Sequence, residues 1–212
     1  MCKRCIIVNV ITLTFGGGEL IRDIYMIRHG ENLFNVQGRT QGWSDSPLTL
    51  NGINQAKQSK IFFENFPVKF DAYFSSTSER ASDTLELIFP NTPYRQLKGL
   101  KEQNFGVYEG QPQYLEPVIS KRRDFFVPFG GESWTRLSNR LKETLITICQ
   151  DNEAYKTLFC VSHGAAISTL MKSVSTTSQI EQLHGIGNLD MLHFTLDMEN
   201  RELKAIEKIS TI

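Results

Sequence analysis

An α/β fold is predicted: a single three-layer domain with a mostly parallel central sheet and helices on both faces. Three observations carry this. Strand-like and helix-like patterns alternate from about residue 21 onward. Strands separated by helices pair in parallel, because each crossover helix returns the chain to the same sheet edge. No internal repeat, low-complexity tract or linker divides residues 21–212, and 212 residues suit one large domain with a buried core.

The elements follow in order. Asp23 to Arg28 is a short apolar run rich in strand formers. LTLNGINQAKQSKIFFENF places Ile53, Ala56, Phe63 and Phe66 at helical spacing, with Thr49 as N-cap. Phe70 to Ser75 reads as a second strand, and Glu79 to Phe89 as a helix stopped by Pro90. Tyr94 to Leu97 is a short strand. Trp134, Leu137, Leu141, Leu145 and Ile148 form one apolar stripe on a helix that Ser133 can cap. TLFCVSH, residues 157–163, is a third strong strand, followed by small residues that suit a helix start. Residues 189–196 and 202–209 close the chain as a strand pair. Residues 111–129 break the rhythm with three prolines, the basic triplet Lys121, Arg122 and Arg123, and the aromatics Tyr114, Phe125, Phe126 and Phe129. We read them as a short, partly helical lid inserted over the site.

Residues 1–20 are expected to be an appendage that the domain does not need. Lys3 and Arg4 before a short apolar run imitate a signal peptide, but no small-x-small cleavage site follows and the run is too short to span a bilayer. The glycines at 16–18 make a flexible joint. Lysine plus arginine equals aspartate plus glutamate, 23 against 23, which argues against a nucleic-acid binder or a polybasic membrane-surface protein. Any anion site must come from locally gathered charge. Cys2 and Cys5 form a CxxC that no second pair completes, so no metal is expected, and Cys149 and Cys160 read as small core residues. This cysteine usage fits a reducing, cytoplasmic setting.

Chemistry gathers at the strand ends, where open α/β sheets bind ligands. The first strand ends in Arg28-His29-Gly30 and the third in Ser162-His163-Gly164. The second ends in Ser75-Ser76 and leads to Arg80 in the first turn of the next helix. Two histidines and two arginines at one sheet edge make a phosphate pocket, since guanidinium forks match phosphate oxygens and helix N-termini add N–H groups. Gly30 and Gly164 let the backbone turn sharply and approach a ligand. A neutral imidazole can attack phosphorus, and nearby arginines help to keep it neutral. Glu102 and Glu109, in KGLKEQNFGVYEG, can supply the acid for the leaving oxygen.

The blocks RHGE with Asn35, QGWSDSPLT, SSTSERASDT, GLKEQNFGVYEG, GGES and VSHG stand in one order along the chain. In that order they resemble the histidine phosphatase superfamily, in the branch of cofactor-dependent phosphoglycerate mutases and their phosphatase relatives. The resemblance implies a phosphoglycerate mutase-like fold and no cofactor. It makes His29 the nucleophile, and Arg28, Arg80 and His163 the groups that hold the phosphoryl oxygens. It makes Glu102, rather than Glu109, the acid that protonates the leaving group and then activates water. Asn35 falls where the family has a phosphate-pocket side chain, and Gln41 and Gly42 where it has substrate-contacting backbone; Gly164 completes the binding set.

Plainer readings remain for other residues. Glu109, Glu31 and Asp45 read as loop-fixing groups, and His184 and His193 as structural. Lys121 to Arg123 is either a solvated charge run or a contact to the anionic tail of a substrate. The expected partner is a small phosphorylated molecule, with no nucleic acid and no membrane. The short lid favours a metal-independent phosphatase, because water can reach the phosphoenzyme; a phosphoglycerate mutase is the alternative. A phosphate-binding module without catalysis is a third reading, against which all five expected pocket residues are present.

Overall fold

A computed structural model describes residues 20–212. The predicted N-terminal appendage and its CxxC lie outside the described residues, apart from Leu20. The chain forms β1 (Ile21–Arg28), α1 (Leu33–Val36), α2 (Leu50–Glu64), β2 (Ala72–Ser76), α3 (Glu79–Ile88) and β3 (Arg95–Leu97). After a stretch of 3-10 turns come α4 (Trp134–Asp151), β4 (Thr157–Ser162), α5 (Gly164–Ser173), α6 (Thr177–Leu183), β5 (Asp190–Asp197) and β6 (Glu202–Ser210).

The six strands make one sheet in the order β3-β2-β4-β1-β5-β6. Pairings among β3, β2, β4 and β1 are parallel, while β5 runs antiparallel to both β1 and β6. Strand alternation sorts the core into two halves. Ile24, Met26, Leu158 and Cys160 face α4 and α5, joined by Leu137, Leu141, Leu145 and Ile148 of the predicted stripe. Tyr25, Ile27, Phe159 and Val161 face α2 and α3, meeting Ala56, Phe63, Ala81 and Leu85. The three-layer arrangement expected from the sequence is therefore present. Cys149 and Cys160 are both buried core residues.

Local chemistry sets the boundaries. Thr49 and Ser133 cap α2 and α4 by accepting from Gly52 N and Arg136 N. Helix α2 stops at Glu64, so Phe66 reaches the core from beyond the helix, edge-on to Tyr25 at 5.9 Å. Ile53 is only half-buried, because the packing face runs through Gly52, Ala56, Ser59 and Phe63. Two short helices went unpredicted, and each carries a capping box: Asn32 with Asn35, and Thr176 with Gln179. No helix among the described residues is long and apolar enough to cross a membrane.

Helix α2 begins against the turn that follows β1. A Cβ on Gly52 would lie 2.0 Å from the Glu31 carbonyl oxygen, and one on Gly30 would lie 2.8 Å from that of Gly52. Gly52→Ala must therefore push the helix and the turn apart. It should lower stability by about 1–3 kcal/mol in urea unfolding, the usual cost of overpacking. Wild-type stability in this variant would contradict the close contact.

Candidate active site

Parallel pairing of β1 with β4 sets Arg28 opposite Ser162, so His29 and His163 leave the sheet in step. Their rings meet edge-on with centroids 5.3 Å apart. Arg80, from the first turn of α3, completes the group by donating from Nε to His29 Nε2 at 3.3 Å. The His29 Nδ1 lies 2.7 Å from the Gly30 carbonyl oxygen. A carbonyl can only accept, so Nδ1 carries the proton and Nε2 keeps the lone pair. Burial, then the charges of Arg80 and Arg28, hold the His29 pKa well below the usual imidazole value. The lowered pKa favours the neutral ring, whose unprotonated Nε2 accepts from the Arg80 guanidinium.

Each neighbour is fixed in turn. Arg80 is fully buried and donates to Ser44 O at 3.1 Å, Asp45 Oδ1 at 2.8 Å and Gly42 O at 3.0 Å. The loop presenting those acceptors is strapped by Glu109, whose carboxylate accepts from the N–H groups of Gly42, Trp43, Ser44 and Phe105 and from the Ser44 hydroxyl. Arg28 donates from Nη1 to Ile186 O at 2.8 Å, and its buried Nε has no partner among the described residues. His163 Nε2 lies 2.8 Å from Ser76 Oγ, which also accepts from Ser78 N. Burial, followed by the Arg80 charge, lowers the His163 pKa well below the ordinary value.

Glu102 reaches the start of α5. Its carboxylate accepts from Gln103 N at 2.9 Å, Ala165 N at 2.9 Å and Ala166 N at 2.7 Å. Burial raises its pKa, and those N–H groups and Arg80 pull against the rise. The net direction is upward from the ordinary carboxylate value.

A cavity of about 290 Å³ opens over this group. Arg28, His29, Asn35, Gln41, Glu102 and Gly164 line it. Arg80 and His163 are instead buried against His29. Gly42 does not line the cavity, because its N–H is committed to Glu109 and its carbonyl to Arg80. Asn35 accepts from Asn32 N within the α1 capping box. Of the basic triplet, only Arg122 lines the cavity, ion-paired at 2.8 Å to Glu116, which also takes the Thr40 hydroxyl. Lys172 also lines the cavity, with its ammonium 5.3 Å from the Trp134 ring centroid. The aromatics Phe125, Phe126 and Phe129 do not line the cavity; they pack on Tyr108 and one another as the core of the 111–129 segment.

His184 is exposed at the end of α6, and His193 stacks on Tyr25 at 4.3 Å and bonds Asp23; neither lines the cavity. Asn188 went unnoticed in the sequence. Its Nδ2 donates to the His29 carbonyl at 2.8 Å and lies 3.4 Å from Asn35 Oδ1. The signal was topological: a strand antiparallel to β1 begins at the edge where β1 ends, and Leu189 N bonds Arg28 O.

A model of the histidine phosphatase superfamily (branch 1) matches residues 24–208. The chain is 32% identical over 156 residues to the uncharacterized phosphatase PhoE of Bacillus subtilis, covering 72% of this chain and 77% of that protein. It is 29% identical over 176 residues to a 2,3-bisphosphoglycerate-dependent phosphoglycerate mutase of Gloeobacter violaceus, covering 76% and 80%. A solved structure of a phosphoserine phosphatase mutant from Entamoeba histolytica, in complex with phosphoserine, superposes with a TM-score of 0.72 at 28% identity, covering 90% of this chain and 98% of that one.

Two neutral, buried imidazoles make stability pH-dependent. Unfolded, each binds a proton below about pH 6.5; folded, each resists it. Stability is therefore full above that value and falls as the pH drops, by up to about 1.4 kcal/mol per unit for each imidazole. Glu102 acts oppositely, losing stability as the pH rises through its raised folded value. The melting temperature should fall from about pH 7 to about pH 5.5, and His163→Asn should remove roughly half of the slope. A melting temperature that is flat or rises on acidification would show that these histidines are not held neutral.

Proposed function

The chain belongs to the histidine phosphatase superfamily (branch 1), and from that premise we propose that it is a metal-independent phosphatase that hydrolyses small phosphate monoesters through a phosphohistidine on His29. The observation that carries this reading is the fixed tautomer of His29, whose unprotonated Nε2 accepts only a long hydrogen bond from Arg80 Nε at 3.3 Å, with Glu102 lining the same cavity.

The chemistry proceeds in two displacements. The Nε2 lone pair attacks phosphorus, the phosphorus–oxygen bond to the leaving group breaks, and that oxygen takes the Glu102 proton. Arg80 Nε and the unpartnered Arg28 Nε lie where they can share the charge of the transferring phosphoryl group, with the His163 ring behind. The Glu102 carboxylate then takes a proton from water, which attacks phosphorus and releases Nε2. Two guanidinium groups supply the positive charge that a metal ion would otherwise bring.

Lys172 and Arg39 line the cavity without a carboxylate partner among the described residues, which suits a leaving group bearing its own anionic group. That cationic wall also favours a second reading, a phosphoglycerate mutase. Incubation with 3-phosphoglycerate and catalytic bisphosphoglycerate separates the two. Free phosphate should appear faster than 2-phosphoglycerate, and the reverse order makes the protein a mutase.

His29→Ala should abolish turnover, with no phosphohistidine trapped after rapid mixing with nitrophenyl phosphate. Glu102→Gln should slow phosphohistidine formation from alkyl phosphates far more than from nitrophenyl phosphate, whose good leaving group hardly needs the proton. Equal slowing of both would remove Glu102 from the acid's role.

A further inference from the structure

The loop that carries Glu102 lacks regular secondary structure beyond the 3-10 turn at Lys98–Leu100, so something else must hold its carbonyls. Arg140, on α4, does so with three of its five N–H groups and gives the other two to Glu132. Nη1 donates to Gly99 O at 2.8 Å and Lys101 O at 3.0 Å. Nη2 donates to Glu102 O at 3.1 Å and Glu132 Oε2 at 2.8 Å, and Nε donates to Glu132 Oε1 at 3.0 Å. Glu132 thus meets the guanidinium in a two-pronged ion pair that fixes its plane. The loop sits close enough because Gly99 has no side chain: a Cβ there would fall 1.9 Å from Thr144 Oγ1. The Trp43 indole N–H supplies a second donor to the Glu102 carbonyl, at 3.1 Å. Its three carbonyl partners, Gly99, Lys101 and Glu102, span four residues of this one loop.

We propose that Arg140, locked by Glu132, is a positioning residue for the acid step: it sets the backbone of Glu102 so that the carboxyl group reaches the leaving oxygen. Arg140 does not line the cavity. Its effect passes through the Glu102 backbone, and it rests on the assignment of Glu102 as acid made above. A lysine cannot replace it, because one ammonium has neither the fork nor the donors to bridge three carbonyls and a carboxylate.

The test is leaving-group dependence. In Arg140→Lys, phosphohistidine formation from an alkyl phosphate should slow roughly 10- to 100-fold, the scale of a misplaced catalytic group. Formation from nitrophenyl phosphate should change less than about threefold, since that step bypasses the acid, and KM for both should hold. Glu132→Gln keeps the partner's shape without its charge and should give a milder loss with the same selectivity; it decides the matter if Arg140→Lys does not fold. Equal slowing of both substrates, or no slowing, overturns the proposal while leaving the phosphohistidine reading intact. If the wild-type protein forms no phosphohistidine, that underlying reading fails first.

Discussion

The site depends on one hydrogen bond, from His29 Nδ1 to the carbonyl of the next residue, Gly30. It fixes which nitrogen holds the proton and therefore which one can act. The bond exists because the chain turns sharply after β1, and the turn exists because glycines at 30 and 52 let the start of α2 press against it. Glu31 ties the same turn to that helix by accepting from the Thr49 hydroxyl and Asn51. Sequence, packing and tautomer form one causal line, with no step that needs a long-range device.

Topology supplies the rest. Strand β1 lies between parallel β4 and antiparallel β5, so His163 arrives after one neighbour and Asn188 before the other. Three guanidinium groups of this region, one buried and two partly buried, are each paired with a carboxylate. Arg80 owns Asp45, Arg122 owns Glu116 and Arg140 owns Glu132, as the cost of burying a charge requires. Arg28 differs: it lines the cavity with one bond to a carbonyl and a buried Nε that no described residue meets. The positive charge at this edge thus comes from cations held in place by the protein's own acceptors.

Much of this could be read from the sequence, for identifiable reasons. The ends of β1 and β4 were legible because an apolar run stops abruptly at a histidine and a glycine, and Thr49 and Ser133 because a capping hydroxyl precedes a helical stripe. Helices α1 and α6 escaped because they are too short to show a period, although their capping boxes were present as Asn32 with Asn35 and Thr176 with Gln179. Gly42 was expected to contact substrate, yet its backbone is spent on Glu109 and Arg80, a distinction that no local pattern encodes. Asn188, Trp43 and Arg140 each act through a backbone carbonyl far away in the chain. Such contacts leave no spacing in the sequence, because a carbonyl is the same at every residue.

The central claim concerns a proton, and nitrogen-15 NMR of the histidine side chains reads it directly. The account requires His29 to show a protonated Nδ1 and an unprotonated Nε2, with no titration on acidification through the ordinary imidazole range near pH 6.5. A His29 ring protonated at Nε2, or one that charges near that pH, would leave no nucleophile at the sheet edge and would contradict the account.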